Sequence, residues 1–128
     1  MKIKLTSVFV NDQNKALDFY TRNLGFVKKA DIGAGKYRWL TVVSAEDPNG
    51  PQLHLEPNDN LAARTFQESI FKQAIPANMF FVDDLEKEYQ RLKRLGVKFT
   101  MEPTKTPGST IAIFDDTVGN LIQMTHLS

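Results

Sequence analysis

The chain contains no cysteine among its 128 residues. Disulfides, thiolate metal sites and a cysteine nucleophile are therefore excluded. Histidine is scarce, with only His54 and His126. An excess of one charge is missing too: 16 lysines and arginines face 15 aspartates and glutamates, a formal net charge of +1. So small a charge draws in neither nucleic acid nor an anionic membrane, and neither is expected as a partner. The basic run Arg91, Lys93, Arg94 and Lys98 interleaves with Glu86 and Glu88 and reads as the wet face of a helix. No apolar run is long enough to cross a bilayer. Residues 3–10 read as a strand rather than the core of a leader, so a cytoplasmic setting is the expectation. There is no Ser-His-Asp order, phosphate-cradling loop or nucleotide fingerprint. Gly33-Ala34-Gly35 is only a turn between two strands. Length and composition, 41% apolar and 24% charged, fit one globular domain.

What the chain does have is a repeat. Val10-Asn11-Asp12, then Ala16-Leu17-Asp18-Phe19-Tyr20, then Leu24-Gly25-Phe26 returns as Val82-Asp83-Asp84, Tyr89-Gln90-Arg91-Leu92 and Leu95-Gly96-Val97. The offset is 72 residues at the valines and 71 at the Leu-Gly pairs, so the copies differ by one residue. Each copy reads as a strand end, an acidic helix start, an amphipathic helix, a Leu-Gly stop and a new strand.

In the first copy, Asn11 or Asp12 caps a helix whose predicted stripe is Leu17, Tyr20 and Leu24. Strands follow from Phe26, over residues 37–43 and over residues 52–56, the last two joined through Asp47-Pro48-Asn49-Gly50. A helix from Leu61 to about Gln73, with Ala62, Phe66 and Ile70 as its stripe, connects to the second copy. There a capping box of Asp83 with Glu86 starts a helix that buries Leu85, Tyr89, Leu92 and Leu95. Strands follow from Val97, over residues 110–114 and over residues 121–127, with a turn at Asp115-Asp116-Thr117-Val118-Gly119-Asn120. The reading is an α+β fold of two βαβββ modules in one domain, 1–128. Module 1 covers about 1–57, a connector about 58–75 and module 2 about 76–128.

One helix covers only one face of so small a sheet, so the other faces are left to form a trough for a small ligand. Alternation sends Leu53 and Leu55 toward the helix and Gln52, His54 and Glu56 toward the trough or toward solvent. Phe9, Tyr37 and Trp39 are the aromatics expected there, suited to stacking on flat ligands or simply to core packing. His54 is the candidate acid–base residue, or else bonds across the sheet. Arg38 is the candidate clamp for an anionic group, or else pairs with Asp31. His126 reads as an exposed terminal histidine.

Taken together these residues resemble the vicinal oxygen chelate superfamily, which includes glyoxalase I, extradiol dioxygenases, fosfomycin-resistance transferases and bleomycin-binding proteins. The pieces that carry it are Val10-Asn11-Asp12 through Leu24-Gly25-Phe26, and Asp115-Asp116-Thr117 with Gly119-Asn120-Leu121-Ile122-Gln123. The resemblance implies paired modules curled around a trough, a homodimer, and in catalytic members a divalent metal held by His and Glu. Those ligand positions fall here at Leu5, at His54 or Glu56, at Ala77 and at Gln123. Leucine and alanine have no donor atom, and glutamine is a weak neutral one. The expectation is a metal-free protein that binds a small, partly apolar molecule through Leu5, Ser7, Phe9, Arg38, Trp39, His54, Glu56, Ala77, Met79 and Gln123. The alternative is a metal-dependent lyase or dioxygenase with an ion near His54, Glu56 and Gln123.

Overall fold

The computed structural model describes residues 1–128. In order the elements are β1 (Leu5–Val10), α1 (Gln13–Asp18) running into a π-helical turn (Phe19–Asn23), β2 (Val27–Ala34), β3 (Tyr37–Val43), β4 (Gln52–Pro57), α2 (Leu61–Lys72), β5 (Asn78–Phe81), α3 (Leu85–Arg94), β6 (Phe99–Thr106), β7 (Ser109–Asp115) and β8 (Leu121–Leu127). They form two four-stranded sheets of identical wiring, β1-β4-β3-β2 and β5-β8-β7-β6. In each, the first strand lies parallel to the last and the hairpin neighbours are antiparallel. This is βαβββ twice, the α+β architecture that the repeat predicts. The chain divides into two compact units, residues 1–66 and 67–128, with the boundary inside α2.

In the first unit α1 starts at Asp12, whose carboxylate accepts from the Lys15 amide at 3.0 Å. Its packed face is Ala16, Phe19 and Tyr20, set against Val8, Val10, Leu40, Val42 and Leu55, all at most 5% exposed. The predicted stripe of Leu17, Tyr20 and Leu24 is corrected here, since Leu17 and Leu24 are only half-buried. The reason is the π-helical turn, in which the Leu24 amide reaches back five residues to Phe19 O at 3.2 Å. That turn takes up one extra residue, and this is the residue by which the two copies differ.

In the second unit α3 is capped by Asp84, not Asp83: the Lys87 amide donates to its carboxylate at 3.1 Å. Leu85, Tyr89 and Leu92 are buried, and Tyr89 meets Phe99 edge-on at 4.7 Å. Leu95 is 52% exposed. The helix ends one residue before it in a Schellman closure, with Gly96 at φ +86°, Gly96 N–H to Lys93 O at 3.0 Å and Val97 N–H to Leu92 O at 3.0 Å. Val97 takes the buried place expected of Leu95.

Helix α2 departs furthest from the periodic reading. Ala62 and Phe66 are exposed and Ile70 is half-buried, whereas Gln67 is 3% exposed. The Gln67 amide is held by polar groups of the β7–β8 loop, donating to Val118 O at 3.2 Å and Asn120 Oδ1 at 3.1 Å. Hydrogen bonds, not apolar contact, choose the face that this helix buries.

Candidate ligand-binding face

The two faces of the first sheet differ in kind. Arg38 reaches the α1 residue Asn14, so the even-numbered side chains of β3 point toward α1. Thr41 pairs with His54, and His54 with Ser7, so these residues lie on the opposite, outward face. Alternation adds Leu5 and Phe9 from β1, Trp39 from β3, and Gln52 and Glu56 from β4. The structure thus brings together six of the expected ligand-binding residues: Leu5, Ser7, Phe9, Trp39, His54 and Glu56.

Arg38 is not among them; of its two expected roles, a clamp for an anionic group or a pair with Asp31, the structure shows the pair. Its guanidinium lies on the helix side, with Nε donating to Asp31 Oδ1 at 2.9 Å and a second nitrogen donating to Asn14 Oδ1. The same contact holds the Asp31 carboxyl below its ordinary pKa.

A gap in the hydrogen-bond ladder sets the geometry of the outward face. Strands β3 and β4 pair only through Thr41–Val43 and Gln52–His54. Beyond Thr41 the side chain of Gln13, at the start of α1, fills the gap. Its amide nitrogen donates to Arg38 O at 2.8 Å and Leu55 O at 3.1 Å, and its oxygen accepts from the Arg38 amide at 3.1 Å. Backbone groups that would lack partners are thereby satisfied. On the outward side of this splayed stretch Trp39 leans over His54, with ring centroids 4.2 Å apart and planes at 33°. Trp39 is 38% exposed, whereas Thr41 beneath it is fully buried and donates to Gln52 Oε1 at 2.6 Å. An accessible indole thus lies beside buried polar groups that fix the surrounding side chains.

His54 is 9% exposed. Burial lowers its pKa from 6.5, and Glu56 opposes this only in part, its Oε2 lying 3.8 Å from Nδ1. His54 is therefore neutral at pH 7. Between 6.5 and the lower folded value the unfolded chain binds more protons, so this group costs stability as pH falls through that window. Trp39 reports the titration, because it is the only tryptophan and a protonated imidazole quenches indole emission. Trp39 fluorescence is expected to drop on acidification with a midpoint below 6.5, and His54→Gln is expected to remove that step. A midpoint at or above 6.5 would contradict the burial argument.

The second sheet has its own outward face. Met79 pairs with Gln123 and Gln123 with Ile113; Phe81 pairs with Thr125 and Thr125 with Ile111. Met79 is 43% and Phe81 60% exposed, and Gln123 donates to Thr125 Oγ1 at 3.2 Å. Ala77 lies just before β5, its amide donating to Leu121 O at 2.8 Å. His126 is half-buried, with Nδ1 at 3.2 Å from Val82 O, and is not the free terminal histidine expected. Thr41, Phe81 and Gln13 were missed in the sequence. The first two follow from alternation with Trp39 and Met79. Gln13 had no signal, since its role depends on where the β3–β4 ladder stops.

The residues at the four metal-ligand positions do not fit a divalent ion. Leu5 and Ala77 have no donor, which leaves at those positions His54 or Glu56 and the weak neutral amide oxygen of Gln123. No group of three His, Asp or Glu side chains is placed to hold a metal ion.

Comparison with known proteins places these features in context. Residues 2–124 match the model of the Glyoxalase/Bleomycin resistance protein/Dioxygenase superfamily. YurT of Bacillus subtilis (strain 168) is 57% identical over 126 residues, spanning 98% of this chain and 99% of that protein. The crystal structure of UcmS2 superposes with a TM-score of 0.84 at 32% identity, covering 98% of this chain and 97% of that one. TnmS3, an antibiotic binding protein from Streptomyces sp. CB03234, superposes with a TM-score of 0.77 at 28% identity, covering 100% and 97%.

Proposed function

Because the chain belongs to the glyoxalase/bleomycin resistance protein/dioxygenase superfamily, we propose that it binds a small, partly apolar molecule on the outward face of its first sheet, without the divalent ion of catalytic relatives. The observation that carries this reading is the accessible Trp39 ring leaning on the buried, neutral His54. An exposed indole held by a splayed strand is a surface on which a flat ligand stacks, and Phe9 and Leu5 extend it with apolar area. His54 offers a nitrogen lone pair and an N–H to such a ligand, in a binding role or as an acid–base group. TnmS3 is a binding protein of the same fold, which supports binding as the activity. Self-association into a homodimer and a cytoplasmic setting belong to the same proposal. No helix is long and apolar enough to cross a membrane.

The rival reading is a lyase or dioxygenase with an unorthodox ion, resting on the 3.8 Å approach of His54 to Glu56. Heat denaturation with a panel of flat aromatic compounds separates the two. Binding raises the midpoint by mass action, and the rise is expected to survive a metal chelator. Stoichiometric metal in the purified protein, with a midpoint that collapses on chelation, would favour the enzyme instead.

A further inference from the structure

We propose that the molecule bound at this face carries a positive charge beside its flat ring system, with Glu56 as the group that selects it. This rests on the assignment of the outward face as the binding site.

Three observations point to Glu56. Among the outward-facing side chains of β1, β3 and β4 it is the only carboxylate, and none of them is a lysine or arginine. No lysine or arginine comes within 4.0 Å of it, and its one ion-pair neighbour is His54 at 3.8 Å. Arg38, next in sequence to Trp39, is committed to Asp31 and Asn14 on the other face. Glu56 is thus an uncompensated negative charge, its side chain 40% exposed, on a surface that also presents Trp39 and Phe9.

The chemistry follows from what a ligand does to that carboxylate. A neutral ring covering Glu56 strips water from it and returns nothing. An anionic ring adds like-charge repulsion. A ring bearing an ammonium or amidinium replaces the lost water with a charge-assisted hydrogen bond, and the indole face of Trp39 attracts the same cation.

The test uses one ring with three charges: 2-naphthylmethylamine, 2-naphthylmethanol and 2-naphthoate, titrated into the intact protein by calorimetry at pH 7.5 and low salt. The amine, a cation at this pH, is expected to bind about tenfold or more tighter than the alcohol, with the carboxylate weakest. Added salt is expected to weaken the amine and leave the alcohol unchanged. In Glu56→Gln the amine should fall to the level of the alcohol. If Glu56→Gln fails to fold, the salt dependence of the unaltered protein decides. Equal affinities, or tightest binding by the carboxylate, would overturn the charge preference while leaving the face as the binding site. Binding by none of the three would overturn the site assignment and this inference with it.

Discussion

Replacing Asp116 with alanine is expected to cost about 3 kcal/mol or more of stability, the largest effect of any single substitution proposed for this chain. Asp116 is fully buried in the turn between β7 and β8. One carboxylate oxygen accepts from the Val118 and Asn120 amides, each at 2.9 Å, and the other accepts from the Asn120 side-chain amide at 2.7 Å. Asn120, 2% exposed, passes the chain of bonds to Gln67 on α2. Alanine at 116 would leave buried donors without acceptors in a turn that already places Thr117 at φ +69° and Gly119 at φ +106°. Gly119→Ala is expected to destabilise as well, since a Cβ there would come within 2.5 Å of the Gln67 amide. Chemical denaturation measures both. A loss under 1 kcal/mol for Asp116→Ala would show that the turn is held by something other than this network.

The second large effect concerns binding. Trp39→Ala is expected to weaken any flat ligand of the outward face by about 10- to 100-fold, the usual cost of removing a stacking aromatic. Stability should change much less, because the indole is 38% exposed and its backbone neighbour Arg38 stays clamped by Gln13. Calorimetry with the tightest member of the aromatic panel reads the affinity, and heat denaturation reads the fold. Unchanged affinity would remove Trp39 from the site.

The fold was legible in the sequence because the repeat is carried by residues whose roles are local. The capping aspartate, the Leu-Gly stop and the alternating strands each act within a few neighbours, so the order βαβββ twice could be read directly. Boundaries failed where distant groups decide. Gln67 is buried because Val118 and Asn120 need its amide, a fact fixed more than fifty residues away. Leu17 and Leu24 lost their burial to a π-helical turn that the 72-against-71 offset signalled but did not locate. The site was legible in part. Strict alternation put Gln52, His54 and Glu56 on one face, as the strand pairing has them. For Arg38 the sequence left a ligand clamp or a pair with Asp31 open, and the structure has the pair. Gln13 was invisible, since only the early end of the β3–β4 ladder gives it three backbone partners.

The central claim is that Trp39 and His54 mark the binding face, and the emission of Trp39 tests it most directly. Titrating the protein with flat aromatic compounds should change that emission saturably, with the same dissociation constant that calorimetry gives for each compound. Compounds that bind by calorimetry yet leave Trp39 emission unaltered would place the site elsewhere and contradict the account.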